Sequence, residues 1–455
     1  MAFKAKVTKL VGSAAGSLGL LAAVLAAASA AVAPQFDQGV PVRPYIEEAR
    51  AEAKGRAGPL GEAKLAAAPE QGALWISVGS EDLSKAVLPL GIPVVSSARA
   101  AVFKVSEDSI VQIADMMHER FGKCGGFFAY DNRAEAEADL AAPPAAAGGP
   151  YTLDQEAWVK PLVSKVKEAQ LRATIETMAA YNNRYYQSDT GVAAAQWVGS
   201  RWQQLAQNIP GASLRMFPHA GWKQPSVILT IAGSQTPEEV VVLGGHLDSI
   251  AGMWGGSGAR APGADDNASG IAVLTEAIRV LGEGGFRPRR TVQFMGYAAE
   301  EVGLRGSAEI AKSYKGGTKV AGVIQFDMTN YKGSGDTVYL LSDNVEPGLT
   351  AFLGKLVDAY VGVGWANTAC GYGCSDHASW TKNGFAASAA FESSFDAMNR
   401  NIHSDKDTLG NAGGNAEHSA HFAKLAVAFA VEMGKAAAAP PASLAATASK
   451  SASGR

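Results

Sequence analysis

The stretch VVVLGGHLDS, Val240–Ser249, joins an apolar run to a His-x-Asp pair. Four consecutive large apolar residues that stop at Gly-Gly are typical of a strand buried on both faces of a sheet. In open α/β sheets, ligands gather beyond the carboxyl ends of the strands, and this pattern places His246 there. Asp248 could accept a hydrogen bond from the second imidazole nitrogen, as metal-ligating histidines commonly require. For this motif alone, a histidine satisfied by solvent is the simpler interpretation.

Acidic side chains follow other apolar runs farther along the chain. Two adjacent aspartates lie in the loop PGADDNASG, and two adjacent glutamates follow the run TVQFM. Another aspartate ends the run VAGVIQF, and a histidine lies in the polar loop NIHSD. Two imidazoles with several carboxylates can hold two zinc ions that share one carboxylate, which leaves one acid as a proton shuttle. The candidate residues are His246, Asp266, Glu300, Glu301, Asp327 and His403.

The two acidic pairs support different arguments. Asp265 and Asp266 precede a helical pattern, where a carboxylate commonly caps the first turn, but their small neighbours also let a cation approach the backbone. The spacing does not distinguish which aspartate would bridge two metals. Glu300 and Glu301 follow a strand, and successive side chains of extended backbone point in opposite directions. One glutamate would therefore ligate a metal while its neighbour faces the attacking water as a general base.

From Tyr151 onward the sequence alternates between helical and strand patterns. Apolar repeats predict helices over Leu162–Met178 and Gly191–Ala206, and a third helix that stops at Gly282. Strands that alternate with helices predict an α/β fold with a mixed, mainly parallel central sheet and helices on both faces. The predicted strands are Ser226–Ile231, Val240–Leu243, Thr291–Met295, Val320–Phe326 and Val338–Leu341.

The N-terminus carries the pattern of a secretory signal peptide. Three lysines precede an Ala-rich apolar run that ends in small residues, so residues 1–30 are predicted to be cleaved. The alternative is a membrane anchor, because the run approaches the length of a spanning helix. Cleavage would give a secreted, extracellular protein with no membrane segment in its mature form.

Residues 31–150 are predicted to form a small α+β pro-segment that is followed by a linker. Strand patterns at Ala73–Val78 and Ala101–Val105 and a helix over Asp108–Phe121 indicate a folded unit, and Pro, Ala and Gly dominate from residue 134 onward. A permanent accessory domain is the alternative. The tail, residues 435–455, consists mainly of Ala, Pro, Ser and Thr and is predicted to be disordered or removed.

The net charge and the cysteine content limit the kinds of function that fit this sequence. A net charge of -3 and a pI near 6.2 give no electrostatic footprint for nucleic acid, whose binders are typically basic. Three cysteines occur, and an oxidising destination favours a disulfide between Cys370 and Cys374, because the intervening Gly-Tyr-Gly could form a tight loop. Reduced thiols or a zinc-binding pair are the alternatives.

The motifs together carry a family resemblance. GGHLDS, APGADDNASG, YAAEEVGLRGS, QFDMTNYKGS, CGYGCSDHASW and NIHSDKDTL occur in this order. They resemble the motifs of the secreted bacterial leucyl aminopeptidases of the M28 zinc peptidase family. The similarity extends from about Tyr151 to Gly434, which implies a catalytic domain over residues 151–434 with the zinc-peptidase fold.

The resemblance also implies a cofactor of two zinc ions per chain and a division of the ligands between them. Asp266 would be the bridging carboxylate. His246 and Asp327 would hold one zinc ion, and Glu301 and His403 would hold the other.

The remaining implied roles concern catalysis and the substrate. Glu300 would be the general base, and Asp248 would be the hydrogen-bond partner of His246. The peptide bond that follows the bridging aspartate would be cis. A disulfide between Cys370 and Cys374 would lie beside the active site. Tyr372 would face the reaction centre and contact the substrate. An apolar pocket for the first side chain of the substrate would be lined by Phe391, Phe395 and Ile402, for which ordinary core packing is the alternative.

The resulting functional hypothesis is a monomeric, secreted zymogen of a di-zinc aminopeptidase. It would remove large hydrophobic residues such as Leu from peptide or protein N-termini. A carboxypeptidase or amide deacylase with the same di-zinc site is the first alternative. Such relatives often insert an oligomerisation domain between the last strand-borne ligand and the final histidine, and the short segment between Asp327 and His403 leaves no room for one. A binding domain that has lost its metals is the second alternative, and the complete ligand set argues against it.

Overall fold

The computed structural model describes residues 72–79, 93–123, 125–141, 148–252 and 256–444. The predictions for the signal peptide, for the start of the pro-segment and for the tail beyond residue 444 lie outside this part of the chain. Within it, no helix is long and apolar enough to cross a membrane.

A small α+β unit precedes the linker. Its four strands form an antiparallel sheet in the order β2-β3-β1-β4. One helix, α2, begins where the linker was predicted, because Asn132 caps it by accepting a hydrogen bond from the Glu135 backbone N–H. The elements are β1 (Ala73–Gly79), β2 (Val95–Ser96), β3 (Ala100–Ser106), α1 (Ile110–Phe121), β4 (Phe127–Tyr130) and α2 (Arg133–Ala138).

An eight-stranded sheet forms the centre of the larger region that follows. Its order is β11-β10-β12-β9-β7-β8-β6-β5, in which four of the seven neighbouring pairs are parallel. The predicted mixed, mainly parallel sheet is therefore confirmed. The strands are β5 (Ala212–Phe217), β6 (Ser226–Ile231), β7 (Thr236–His246), β8 (Arg290–Tyr297), β9 (Lys319–Phe326), β10 (Thr337–Leu341), β11 (Gly364–Thr368) and β12 (Ala387–Phe391).

Helices cover both faces of this sheet, as predicted. Val241 and Leu243 of β7 join a core cluster with α5, α6 and α10, whereas Val240 and Val242 join a second cluster with α7 and α9. This alternation is the two-residue period of a strand that is buried on both sides. The helices are α3 (Glu156–Val163), α4 (Glu168–Ala179), α5 (Asp189–Ala206), α6 (Ala268–Gly284), α7 (Arg305–Tyr314), α8 (Pro347–Leu356), α9 (His377–Lys382) and α10 (Glu417–Gly434).

Two predicted boundaries were wrong. The helix predicted over Leu162–Met178 is two helices, because Lys167 is extended and donates its backbone N–H to Glu276 at 2.6 Å. The predicted disordered tail begins too early, since residues 435–444 pack on the domain. There the Trp158 indole donates to the Ala438 carbonyl at 2.7 Å, and Leu444 is only 4% exposed within the main core cluster.

The topology brings three strand ends together. In the sheet, β7 lies between β8 and β9 and is parallel to both. Their carboxyl ends therefore meet at one edge, and the segments that follow them carry His246, the two glutamates and Asp327. The N-terminus of α6 and the loop before α10 contribute the remaining candidate residues.

Candidate metal centre

His246, at the end of β7, lies against one oxygen of each of two aspartates. Its Nε2 atom is 3.0 Å from Oδ1 of Asp266 and 3.2 Å from Oδ1 of Asp327. The other oxygen of Asp327 accepts a hydrogen bond from the Ser375 hydroxyl at 2.5 Å. All of these residues are buried. One imidazole nitrogen and two carboxylate oxygens thus converge on one point.

A second group forms on the other side of Asp266. His403 Nε2 is 3.4 Å from Oδ2 of Asp266 and 2.7 Å from Oε2 of Glu301. The two oxygens of Asp266 therefore face two different histidines. Such an arrangement has the chemistry of a carboxylate that bridges two metal ions.

The donor set fits divalent zinc. Imidazole nitrogen and carboxylate oxygen are both zinc ligands, and one ligand atom from each of His246, Asp266 and Glu301 lies within 4.8 Å of the others. Glu301 is thus near both groups, but its 2.7 Å contact with His403 associates it with the second. Neutral imidazoles would leave a buried excess of carboxylates, and cations would compensate this charge.

Burial and neighbouring carboxylates favour the protonated forms of three groups at the centre, Glu300, Glu301 and His246. Burial raises the pKa of Glu301 to about 7 and raises the pKa of Glu300 well above its usual range. Burial would lower the pKa of His246, but the carboxylates of Asp327 and Glu300 raise it well above its usual value. Metal ligands must be deprotonated, so a bound cation would displace these protons.

Glu300 lies beside the first group. Its Oε2 atom is 3.9 Å from His246 Nε2, farther than either aspartate oxygen. The structure therefore separates the adjacent glutamates, with Glu301 against His403 and Glu300 near His246.

Asp248 holds the loop that carries both glutamates. Its two oxygens accept the backbone N–H groups of Glu300 at 3.0 Å and Glu301 at 3.1 Å. It also remains near His246, whose Nδ1 lies 3.6 Å from the Asp248 carboxylate and 3.2 Å from the Asp248 carbonyl oxygen. The imidazole thus donates to the carbonyl oxygen of Asp248, whereas the carboxylate of Asp248 holds the glutamate backbone.

Asp407 holds the Asp265–Asp266 loop in a similar way, and the sequence did not mark it as a site residue. Its two oxygens accept the backbone N–H groups of Asp265 at 3.1 Å and Asp266 at 3.0 Å. Asp407 lies inside the motif NIHSDKDTL. An acidic residue so close to His403 was the feature of the sequence that could have identified it.

Arg184 is a second missed residue, and it is fully buried. Its guanidinium donates to the carbonyls of Leu247, Pro262 and Gly263 at 2.5–2.8 Å. Burial lowers the pKa of Arg184 to about 10, so the group stays charged at neutral pH. It lies far before the motifs in the chain, and no local pattern marks it.

Asp265 points away from the two histidines. It accepts hydrogen bonds from the Asn330 backbone and from the Asn399 side chain, both at 3.0 Å. The structure thus distinguishes the two aspartates that the spacing left open. The Asp266–Asn267 peptide bond is cis, as the resemblance implied.

Unusual backbone conformations also cluster at these loops. Ala299, Met328 and His403 have φ values of 57°, 53° and 54°. Such angles are uncommon for residues with a Cβ atom and occur frequently at functional sites. Each of the three is a candidate ligand or neighbours a candidate.

The comparisons with known proteins place the chain in a family. Peptidase family M28 matches residues 226–430. A probable leucine aminopeptidase of Arthroderma benhamiae is 38% identical over 313 residues, which cover 68% of this chain and 85% of that protein. The chain belongs to peptidase family M28. A probable aminopeptidase of Saccharomyces cerevisiae is 36% identical over 60% of this chain and 74% of its own length.

Solved structures agree with this assignment. The LapA aminopeptidase of Legionella pneumophila matches with a TM-score of 0.71 and 28% identity, over 81% of this chain and 99% of that chain. LapB of the same organism matches with a TM-score of 0.70 and 30% identity, over 80% and 100%. This M28 chain is thus a zinc-dependent metallo-aminopeptidase with the zinc-peptidase fold.

An apolar pocket adjoins the candidate centre of this M28 peptidase. Its walls include Tyr372, Phe391 and Phe395 together with Met398, and Asp327 lies at its edge. Ile402 belongs to the same apolar cluster but is not one of the residues that line the pocket. The sulfur atoms of Cys370 and Cys374 lie at bonding distance, 2.03 Å, so a disulfide fits this loop.

The N-terminal unit of this M28 chain lies over the same region. The ring of His118 in α1 is 4.8 Å from the ring of His403, and Lys123 lies 4.8 Å above the Tyr372 ring. The backbone N–H of Ala129 donates to the Gly303 carbonyl at 3.1 Å. The unit therefore contacts a candidate ligand, the pocket and the loop that follows the glutamates.

Proposed function

We propose that the protein is a di-zinc aminopeptidase that releases large hydrophobic residues such as Leu from peptide or protein N-termini, as a monomer. The observation that carries this proposal is that the two carboxylate oxygens of Asp266 face different groups of residues. One of its oxygens lies against His246 and Asp327, and the other lies against His403 and Glu301.

The five ligands would hold the ions in two sets that share Asp266. His246 and Asp327 belong to the first set, and Glu301 and His403 belong to the second. When bound, the ions would polarise the scissile carbonyl and lower the pKa of a shared water.

Glu300 is the proposed general base. Burial raises the pKa of Glu300, which makes its carboxylate a stronger acceptor for a proton from water that it would then pass to the leaving amine. Asp248 would orient Glu300 by holding the backbone N–H of the same residue. A general base needs this placement, since a carboxylate in free rotation rarely meets the substrate in the right geometry.

The residues around the centre explain why the enzyme would act at the N-terminal end of its substrate. A free, positively charged α-amino group is attracted by buried carboxylates, whereas an acetylated amide nitrogen carries no charge. The adjacent pocket is lined mainly by apolar and aromatic side chains, among them Tyr372, Phe391, Phe395 and Met398, and would take the first side chain. A hydrophobic first residue such as Leu suits these walls.

The N-terminal unit is the proposed pro-segment. Its apolar core is continuous with residues that flank the ligands, Ile250, Ala299 and Val302. Glu107 adds an ion pair with Arg305 and a hydrogen bond with Tyr186, both at 2.6 Å. An attached unit over His403 and Tyr372 would restrict access of a peptide to the centre. Secretion through the signal peptide at residues 1–30 and a Cys370–Cys374 disulfide complete the proposal.

The test is hydrolysis of a panel of amino-acid amides by protein from which the N-terminal segment has been cleaved. We expect leucine amide to be cleaved faster than glycine or glutamate amides, and N-acetylated leucine amide to resist. Metal analysis of the same sample should give at least two zinc ions per chain. Cleavage of the acetylated amide at the same rate would support the amide-deacylase alternative, and a single zinc ion would contradict the two-ion site.

A further inference from the structure

We propose a third metal site, separate from the candidate centre, formed by Asp336, His418 and His421 and suited to zinc or a similar transition-metal ion. His418 and His421 lie in the first turns of α10, and Asp336 lies in the turn immediately before β10. Nothing in the proposed aminopeptidase reaction uses these three residues.

The geometry is close to that of a bound ion. The two histidines are three positions apart, so they share one face of the helix. One ligand atom from each of the three residues lies within 4.8 Å of the others, and His421 Nε2 is 3.6 Å from Oδ1 of Asp336. With bonds of about 2.0–2.1 Å, ligands of a tetrahedral zinc lie about 3.3 Å apart. A small shift of the partly exposed residues would therefore complete the site.

His418 has one ring nitrogen available as a ligand. Its Nε2–H donates to the Glu392 carbonyl oxygen at 2.8 Å, which leaves the lone pair on Nδ1. Metal-ligating histidines typically donate their other nitrogen in this way. The side chain is 1% exposed, and its Nδ1 has no hydrogen-bond partner among the residues that the structure describes. A buried nitrogen without a partner is costly, and a bound cation would satisfy it.

An ordinary surface ion pair explains less of this arrangement. Lys332 Nζ lies 2.7 Å from Oδ1 of Asp336, and both side chains are about half-exposed. That pair accounts for Asp336 but not for the buried nitrogen of His418. Because Asp336 has a second oxygen and Lys332 can move into solvent, the ammonium group and a metal ion need not exclude each other.

The donor types select the metal. Two imidazole nitrogens and one carboxylate oxygen suit zinc and its transition-metal neighbours, whereas calcium and magnesium prefer oxygen ligands alone. Three protein ligands would leave the fourth tetrahedral position to water. An ion here would tie the start of α10 to the turn before β10. The proposed function of the site is therefore structural.

The test compares zinc binding by the untagged full-length chain and three variants. Asp336→Asn and His421→Ala each remove one partly exposed ligand. Glu309→Gln is the matched control. Glu309 also pairs with an imidazole, that of His219, at 2.6 Å. The second nitrogen of His219 is already hydrogen-bonded to Ser226, so this pair is not expected to bind metal. Each protein is dialysed against graded Zn²⁺, and the bound metal is measured by mass spectrometry.

We expect the wild-type chain and Glu309→Gln to bind one more zinc ion per chain than Asp336→Asn and His421→Ala. This difference does not depend on how many ions the catalytic residues hold, so its failure is distinct from failure of the di-zinc proposal. Calcium in place of zinc should give no difference. Equal zinc stoichiometry in all four proteins throughout the titration would overturn the third site. Circular dichroism in chelator verifies that the variants are folded.

Discussion

At the scale of single residues, the centre depends on carboxylates that are chemically alike but have different roles. Asp266 divides its oxygens between two histidines, whereas Asp407 and Asp248 use both oxygens to hold consecutive backbone N–H groups. A carboxylate that accepts two such bonds positions a loop rather than a metal. The sequence shows only that acids are present, so their division into ligands and supports needs the fold.

The two adjacent glutamates give the first prediction. We expect Glu300→Gln to keep its zinc and to lose about 10²–10⁴-fold in kcat, the usual effect of removing a positioned general base. Glu301→Gln and Asp266→Asn should instead lose zinc. Zinc content is measured beside kcat, since both kinds of variant would be slow. An empty site in Glu300→Gln with a full one in Glu301→Gln would reverse the two roles.

Asp407 gives a second prediction at this scale. In Asp407→Asn, the amide NH₂ would face a backbone N–H, so one of the two bonds that hold the Asp265–Asp266 loop is lost. We expect zinc affinity to fall by about 10–100-fold, as for other residues that support metal ligands. The control is Asp405→Asn, because Asp405 is exposed in the same loop. Competition with a chelator measures the affinity, and equal values for both variants would contradict a supporting role.

At the scale of secondary-structure elements, strands made of large apolar residues were predicted well, and strands rich in small or polar residues were not. β6 matched its prediction, and β7, β8 and β9 were found with ends within a few residues. β12 was missed because its sequence, ASAAF, consists mainly of small residues, although all five are buried. β11, with the sequence GWANT, has neither an apolar run nor a clear alternation. The ligand-bearing ends were predictable because they follow the strongest strands.

The loop from Cys370 to Cys374 gives a prediction for one element. Its Tyr372 ring packs edge-on against Phe395 at 6.3 Å, so the loop shapes the pocket. If the disulfide holds the loop, replacing both cysteines by serine should raise KM for leucine amide about three- to ten-fold, or about 0.7–1.4 kcal/mol. Zinc content should not change. Cys124→Ser is the control, and an unchanged KM in the double variant would show that the loop does not need the bond.

At the scale of the whole molecule, two folded units share one interface over the candidate centre. The N-terminal unit has its own antiparallel sheet, but its apolar cluster includes residues beside the candidate ligands. The sequence predicted a separate unit from its composition and its linker. It could not predict the docking, because contacts such as Glu107–Arg305 join residues that are far apart in the chain.

This interface gives the last prediction. Cleavage between residues 142 and 150, within the predicted linker, followed by removal of the N-terminal unit should raise the rate of leucine amide hydrolysis, because His118 and Lys123 would no longer lie against His403 and Tyr372. In the uncleaved chain, Glu107→Ala should give part of the same increase by removing the bonds to Arg305 and Tyr186, whereas the neighbouring variant Asp108→Ala should not. Rates are compared at equal zinc content, which separates access from metal loss. Equal rates for the cleaved and uncleaved proteins would mean that the unit is a permanent accessory domain, whose contacts stabilise the fold but leave the centre open.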